Sequence, residues 1–402
     1  MLLDDLQNLD ESSLRKLCDD KCPESTTLDF KQSLPGSADK DKQELLKDVC
    51  AFANTEGGDL VYGISESEEG CAEDLIPIVG ELPDAASRRI TQVLDAGLDP
   101  RVQGVRIRHV DVEGGYVLVL RVPASFDGPH CVRVNTNRRF VMRNGTTTSD
   151  LSFDQLRASF DRTATLAERA RQFIRERLQA IKKREGSAPV REGPVWAIHL
   201  VPISGLAGRH SVDLQPVHAK GFTAFIDNAW GQGAGRSFNL DGLLVHSGDR
   251  EAGYFAYTQL FRTGAMEAVS VGGDERAIPG SGNRKFVWSN DMTKFFRGKV
   301  AEFISALKGW GFAGPAVLSV AVLNVEGFEL HFGTASRFPA HAVADRPHLI
   351  VPEVWLPSLD TIKLDADLDG IVRPMMDVLW QAFNVQQCRD FHPKTGVYNP
   401  TS

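Results

Sequence analysis

Residues 24–66 constrain the fold of this chain more than any other segment, because a strand pattern, a helix pattern and a second strand pattern follow one another there. Apolar Leu28 and Phe30 alternate with polar Asp29 and Lys31, which is the period-2 pattern of a half-buried strand. Alternate side chains of a strand share a face. The pattern therefore predicts that Asp29 and Lys31 project together, with the two apolar side chains in the core.

A helix pattern follows this strand. Ser37 or Asp39 can cap the helix. Its apolar residues recur at helical spacing, at Leu45, Leu46, Val49, Phe52 and Ala53. The pair Gly57-Gly58 predicts the end of the helix, because glycine adopts the left-handed conformation that closes helices. Residues 60–64 predict a second short strand, and an acidic run follows it.

Two such strands side by side would bring Glu24, Asp29, Lys31 and a later glutamate to one edge. Carboxylates in that arrangement can hold Mg²⁺ or Mn²⁺, which prefer oxygen ligands. A lysine beside them can stabilise the charge that develops on a phosphoryl group under attack. Phosphodiester hydrolysis needs that combination, but the pattern alone is more often that of an ordinary solvated strand face.

Four segments of the chain resemble the Schlafen-type AlbA-like domain. They are ESTTLDFK at residues 24–31, AFANTEGG at 51–58, VYGI at 61–64 and RFVMRNGTTT at 139–148. The resemblance covers about residues 20–160. It implies an α+β domain with a mixed sheet.

The resemblance also implies an activity, because Schlafen nucleases cleave tRNA or rRNA with a metal-binding triad of acids. Carried over by position, the triad is Glu24, Asp29 and Glu66. Asp29 stands where the family has glutamate, which keeps the charge and shortens the reach. Ser65 occupies one acidic position of the family motif, so either Glu66 or Glu68 supplies the third acid. The implied cofactor is Mg²⁺ or Mn²⁺.

The expected contacts to RNA fall into two groups. Lys31 would contact the scissile phosphate. The residues assigned to wider RNA binding are Arg138, Arg139, Arg143 and Asn144. Residues 133–184 are rich in arginine and lysine, so this segment either tracks a phosphate backbone or contains a solvated amphipathic helix, residues 166–184, that joins two domains.

The length of 402 residues predicts more than one domain. We expect a Schlafen AlbA-like domain at residues 1–160, a basic helix and linker at 161–192, and a second α+β domain of unrecognised type at 193–402. In the second domain, residues 195–202 and residues 236–245 are each predicted as one strand. The domain shows no metal-ligand spacing, phosphate loop or nucleophile motif. Dimerisation, sensing and substrate positioning remain open as its role.

Charge and cysteine usage bound the cellular setting. The net charge is −8, which does not by itself indicate a nucleic-acid binder. No apolar run approaches the roughly 18 residues that span a bilayer, and the acidic N-terminus lacks the basic region of a signal peptide. The six cysteines lack zinc-site spacing, so reduced thiols are expected. These features predict a cytoplasmic protein.

The leading hypothesis from the sequence is a metal-dependent endoribonuclease that cleaves tRNA or similar structured RNA, acting as a growth-arrest or anti-phage effector. A homodimer would place two such lobes face to face. One alternative is a non-catalytic nucleic-acid-binding transcriptional regulator. The other is an ATP-binding protein. In both alternatives the C-terminal half would act as the sensor.

Overall fold

Two units make up the chain in the computed structural model, Met1–Thr165 and Leu166–Ser402. The structure describes residues 6–134, 137–208, 210–219, 234–278, 282–331 and 342–400. The boundary between the units falls inside one long helix, Phe153–Lys182, whereas the sequence predicted domain limits at residues 160 and 192.

The first unit is an α+β domain. In chain order its elements are a 3-10 turn (Leu6–Asn8), α1 (Glu11–Asp19), β1 (Leu28–Lys31), α2 (Asp39–Asn54), β2 (Gly57–Tyr62), β3 (Ile64–Glu66), β4 (Ala72–Leu75), α3 (Pro83–Gly97), β5 (Leu98–Asp99), β6 (Arg106–Val112), β7 (Gly115–Pro123), β8 (Cys131–Val134), β9 (Asn137–Arg139), β10 (Val141–Asn144), β11 (Thr147–Asp150) and the start of α4 (Phe153–Lys182). The central sheet has the order β1-β2-β7-β6. It is mixed, because β1 runs parallel to β2 while the other pairs are antiparallel.

Both faces of the β1–β2 pair are covered, which changes the predicted environment of β1. Leu28 and Phe30 pack with Leu14 of α1 in one apolar cluster. The other face is covered by α2, whose apolar stripe includes Val49 and Phe52. The predicted polar face of β1 therefore lies under a helix.

The start of α2 differs from the prediction. Ala38 occupies the N-cap position and makes no side-chain cap hydrogen bond, so capping by Ser37 or Asp39 is wrong. The acidic first turn, Asp39 and Asp41, favours the helix start through the helix dipole instead.

The end of α2 lies where the sequence predicted it, but the glycine pair has a different role. The helix ends at Asn54, and the pair forms the first two residues of β2. A Cβ at Gly58 would lie 2.4 Å from the Phe52 ring and 2.7 Å from the carbonyl oxygen of Thr27. Gly57 adopts a φ of +73°. The pair is thus required by a left-handed backbone and by close approach of the helix end to the sheet, rather than by helix termination.

The second unit is built on a large antiparallel sheet. After the remainder of α4 its elements are β12 (Val195–Pro202), α5 (Ile203–Leu206), α6 (Leu214–Ala219), β13 (Ala234–Phe238), β14 (Gly242–Asp249), β15 (Gly253–Phe261), β16 (Met266–Val271), β17 (Gly273–Ile278), β18 (Gly282–Trp288), α7 (Ser289–Gly309), β19 (Ala316–Leu323), β20 (Glu329–His331), β21 (His348–Ile350), β22 (Val354–Leu356) and α8 (Leu368–Gln381). The large sheet has the order β13-β14-β15-β16-β12-β19-β21, and β22 also pairs with β19. A smaller sheet joins β17, β18 and β20.

The large sheet is covered on both faces. The helices α7 and α8 contribute to a continuous core with one face, as in the packing of Phe295 on Trp196. On the other face the ring of Phe173, from α4, packs edge-on against Phe261 at 5.1 Å between centroids. The buried stripe of α4 in this unit is Leu166, Ala170, Ile174, Leu178 and Ile181, as the amphipathic pattern predicted.

One predicted strand in this unit is wrong. Residues 236–245 form two strands, because the amide N–H of Gly242 donates to the side chain of Asn239 at 2.8 Å and closes a turn. Val190, in the segment 161–192 that was predicted as basic helix and linker, forms a bridge with Tyr254 of β15. Along the part of the chain that the structure describes, no helix combines the length and apolar character needed to span a bilayer.

Candidate acidic site

Glu24, Asp29, Lys31 and Glu66 form one electrostatic neighbourhood, since the charge of Glu24 is coupled to the other three. Asp29 and Lys31 lie on β1, and Glu66 ends β3. The carboxylate of Glu24 accepts a hydrogen bond from the backbone N–H of Phe30 at 2.8 Å, which fixes it against β1. Residues that lie up to 42 positions apart in the sequence are thus gathered beside one strand.

Asp29 carries two ion pairs inside the domain. Its Oδ1 accepts from the guanidinium of Arg143 at 2.8 Å, and its Oδ2 lies 2.6 Å from Nζ of Lys31. Side-chain exposure is 4% for Asp29 and 1% for Arg143. Asp29 is therefore neutralised by two cations in this arrangement.

Arg143 is held in place by three further groups. Its guanidinium donates to the carbonyl oxygen of Ser25 at 3.0 Å and lies 4.7 Å from the centroid of the Phe52 ring. Its backbone N–H donates to the hydroxyl of Thr55 at 3.0 Å. The enclosed guanidinium of Arg143 neutralises Asp29. Its burial does not fit the predicted contact with RNA.

The environment shifts two of the predicted groups. Burial raises the pKa of Glu24, and the negative charges of Asp29 and Glu66 raise it further, although the hydrogen bond from Phe30 opposes the shift. Burial works against the charged form of Lys31, but the adjacent Asp29 outweighs it and raises the pKa of the lysine. The charge of Glu66 acts on the carboxyl of Glu24, which places Glu66 in this neighbourhood.

Asp48 belongs to the same neighbourhood and was missed by the sequence reasoning. Burial raises the pKa of Asp48 to about 7, and Lys31 offsets part of that shift. The signal was present in the sequence, because Asp48 stands three residues after Leu45 and four before Phe52, on the apolar stripe of α2. We call Glu24, Asp29, Asp48 and Glu66 the acidic cluster.

The acidic cluster fits a divalent ion in its chemistry but not in its present geometry. Its donors are carboxylate oxygens, which Mg²⁺ and Mn²⁺ prefer. Within the described ranges, however, no group of three or more His, Cys, Asp or Glu side chains converges as metal ligands do. Asp29 is engaged by Lys31 and Arg143 instead.

The other predicted RNA-binding residues lie at the surface. Arg138 pairs with Asp99 at 3.0 Å, and its side chain is 62% exposed. Arg139 pairs with Asp150 at 2.9 Å and is 46% exposed. Asn144, at the end of β10, is also exposed. These three remain accessible to a nucleic acid, whereas Arg143 is not.

Asn54, from the AFANTEGG segment, joins α2 to two strands. Its amide group donates to the carbonyl oxygens of His130 at 2.9 Å and Val141 at 2.8 Å, and its oxygen accepts from the N–H of His130 at 2.8 Å. The His130 ring is fully buried between the carbonyl of Pro100 and the hydroxyl of Ser125. Burial lowers the pKa of His130, so it is neutral and structural.

Comparison with known proteins was made against families and solved structures. The N-terminal domain of a putative ATP-dependent DNA helicase RecG-related protein from Nitrosomonas europaea is 21% identical, with a TM-score of 0.25, over 32% of this chain and 86% of that chain. A protein from Corynebacterium diphtheriae is 18% identical, with a TM-score of 0.25, over 34% of this chain and 29% of that chain. No curated protein matches the chain. The family model described as Schlafen, AlbA_2 matches residues 24–152, and this segment is therefore a Schlafen AlbA_2 domain.

Proposed function

We propose that the Schlafen AlbA_2 domain acts on nucleic acid as a metal-dependent endoribonuclease whose substrate is tRNA or a similarly structured RNA. The observation that carries the proposal is the gathering of Glu24, Asp29, Lys31 and Glu66 around β1. Burial, and after it neighbouring carboxylates, raises the pKa values of Glu24 and Asp48, so an added cation would stabilise their charged forms as it would the phosphates of an approaching RNA.

The chain's own residues would perform three tasks. Glu24, Asp29 and Glu66 would hold the Mg²⁺ or Mn²⁺. A bound divalent ion would supply Lewis acidity and a more acidic water. Lys31 would hold the scissile phosphate through its positive charge. Because Asp29 pairs with Lys31 in the structure, binding of the cation at Asp29 requires Lys31 to exchange its partner.

The first experiment incubates the full chain with total tRNA in Mg²⁺, in Mn²⁺ and in EDTA. The decisive variant is Glu24→Gln, because glutamine keeps the oxygen that accepts from Phe30 and removes the charge. We expect discrete fragments that require metal and a rate reduced by roughly 100-fold or more in the variant. Glu69→Gln, an exposed glutamate beyond β3, is the matched control and should cleave normally.

Two further variants decide the third acid. Glu66→Gln should reduce cleavage as Glu24→Gln does, because Glu66 shares the neighbourhood of Glu24. Glu68→Gln should cleave like the unmodified chain. Normal cleavage by Glu24→Gln would refute the assignment of the site. If Glu68→Gln reduced cleavage and Glu66→Gln did not, the third acid would be Glu68.

A second candidate is a nucleic-acid-binding regulator without cleavage. The neutralised state of Asp29, with Arg143 and Lys31 on its two oxygens, favours it. This candidate expects RNA or DNA binding that persists in EDTA, with intact nucleic acid in every lane. Metal-dependent fragments would exclude it.

We extend the proposal to a homodimer of two such chains. Phe153 and Phe160, one heptad apart on α4, are 79% and 54% exposed. Large apolar side chains at that spacing form a stripe on one helix face, which a second copy can cover.

A further inference from the structure

A cleft of about 820 Å³ lies in the first unit between two loops. One wall is the loop at residues 32–37, which follows β1, and the other is the loop at 76–81, which precedes α3. The apolar residues of its lining are Leu34, Pro35, Ile76, Pro77, Ile78 and Val79. The cleft is within the size range of small-ligand pockets and is mostly apolar.

Both walls are attached to the strands that carry the acidic cluster. The first wall begins at Gln32, the residue after Lys31. The N–H of Gly63, between β2 and β3, donates to the carbonyl of Lys31 at 2.7 Å, and the N–H of Ile76 donates to the carbonyl of Gly63 at 2.9 Å. This backbone chain runs from β1 across to the second wall. The cleft is therefore continuous with the proposed catalytic edge.

The cleft is braced in an open form by Arg89. Its guanidinium donates to the carbonyl of Pro35 at 2.8 Å in one wall and to both carboxylate oxygens of Glu81, at 3.0 and 2.8 Å, in the other. The N–H of Ile78 donates to the carbonyl of Tyr116 at 2.8 Å, which anchors the second wall to β7. The space is thus preformed and does not depend on a ligand to open it.

The lining combines apolar side chains with hydrogen-bonding groups. Val79, in the second wall, is 72% exposed and therefore accessible to a ligand. The exposed polar residues Gln32, Ser33 and Ser37 offer hydrogen-bonding groups on the opposite wall. Arg89 and Glu81 are paired with each other, so the cleft adds no net charge for a phosphate.

We propose that this cleft binds an unstacked nucleobase of the RNA, adjacent to the phosphodiester held at the acidic cluster. The inference rests on the proposed function. Bases in single-stranded or looped RNA are splayed out of the stack, so their faces and edges are available to side chains and hydrogen-bonding groups of a protein. A base seated between the two walls would fix the position of the neighbouring phosphate relative to Lys31.

The test measures RNA binding by fluorescence anisotropy in the Glu24→Gln background, in which the RNA stays intact. Val79→Glu places a carboxylate in the second wall and should raise Kd about 10-fold, because a charge would replace an apolar contact with the base. Leu82→Glu is the matched control, because Leu82 is 77% exposed, three residues away and outside the lining. Its Kd should change less than 2-fold by comparison, about the effect of a surface charge.

A second measurement separates base contact from charge repulsion. RNAs carrying a single photoreactive uridine at successive positions should crosslink to residues 32–37 or 76–81 from one position. Removing the base at that position should raise the Kd of the protein that retains Val79 about 10-fold. It should barely change the Kd of the Val79→Glu protein, which has already lost the contact.

Three outcomes overturn the inference. Equal Kd values for Val79→Glu and Leu82→Glu refute it, and so does crosslinking confined to other residues. In both cases metal-dependent cleavage by the unmodified chain would leave the proposed function standing. If neither the protein with Val79 nor the Val79→Glu protein bound RNA, the inference and the proposed function would both be overturned.

Discussion

At the residue scale, Asp29 and Arg143 show how a buried ion pair can define a site. They are 114 residues apart in sequence and almost completely enclosed. Such pairs seldom add net stability over an apolar alternative, but removing one partner leaves an uncompensated charge in the interior. The pair therefore couples the strand that carries the acidic cluster to the RFVMRNGTTT segment.

Arg143→Met should lower the free energy of unfolding by about 3 kcal/mol, because Asp29 would keep only Lys31 as a partner. Urea denaturation of the full chain measures the change. Arg139→Met, which breaks the exposed pair with Asp150, should lower it by less than about 1 kcal/mol. Similar losses in the two variants would show that the Asp29–Arg143 contact is not specially enclosed.

Asn54 is the second residue whose effect can be isolated. Asn54→Asp keeps the oxygen that accepts from His130 and replaces the amide group that donates to two carbonyl oxygens. In the variant a carboxylate oxygen would face the two carbonyl oxygens, which should lower the free energy of unfolding by about 2 kcal/mol. The same change at exposed Asn144 should be neutral within roughly 0.5 kcal/mol. If Asn54→Asp left the free energy of unfolding unchanged, the hydrogen bonds of Asn54 would not explain why the AFANTEGG segment contains this residue.

At the element scale, local patterns predicted elements well and their surroundings poorly. The range of β12 was predicted to the residue, because a buried strand between a Gly-Pro turn and a helix leaves a clear apolar run. The prediction of one strand at residues 236–245 was wrong, because the Asn239–Gly242 turn lies inside an apolar run that resembles one strand.

The candidate site was predictable in part for the same reason. The acids and Lys31 came from local motifs, and β1 and β2 do lie side by side. The burial of Asp29 was not predictable from its strand, because it depends on Arg143 from β10 and on α2 above it. Asp48 was hidden by its helix, where one acid on an apolar stripe looks like an ordinary interruption.

The packing of α4 on the second unit depends on a buried carboxylate in β16. Glu267 is fully buried and accepts from Arg177 of α4 at 2.8 and 2.9 Å, from the Tyr257 hydroxyl at 2.8 Å and from His199 at 2.9 Å. Burial would raise the pKa of Glu267, but the hydrogen bonds from Arg177 and His199 outweigh it and lower the pKa to about 2.

This lowered pKa predicts a loss of stability in acid. The native carboxylate binds its proton less readily than the unfolded one, so its contribution to stability is complete above the ordinary glutamate pKa of 4.5 and is lost as the pH falls towards 2. We expect Glu267→Gln to lower the free energy of unfolding by about 3 kcal/mol at pH 7. The difference between the two proteins should shrink between pH 4.5 and 2 in denaturation curves. A constant difference over that window would show that Glu267 is not the group that titrates.

At the scale of the whole molecule, a net charge of −8 must be reconciled with the proposed nucleic-acid substrate. Long-range attraction cannot supply the affinity, because the chain as a whole repels phosphates. In the proposal local groups supply it, namely the cations that the acidic cluster would hold, the exposed Arg138 and Arg139, and apolar contacts to bases in the proposed cleft. The proposed cleft thus complements a protein that lacks a basic surplus.

The proposed homodimer gives the last prediction. If the stripe of Phe153 and Phe160 is covered by a second copy, the mass in solution is twice the 44.2 kDa of one chain. Phe153→Glu combined with Phe160→Glu should raise the dissociation constant at least about 30-fold, because buried aromatic anchors dominate interface energies. Light scattering during size exclusion, over a concentration series, measures both quantities. Leu240→Glu, at a side chain 93% exposed in the turn between β13 and β14, should leave the dimer unchanged. A monomeric mass for the unmodified chain at all concentrations would refute the homodimer, and an unchanged dimer in the double variant would place its interface away from α4.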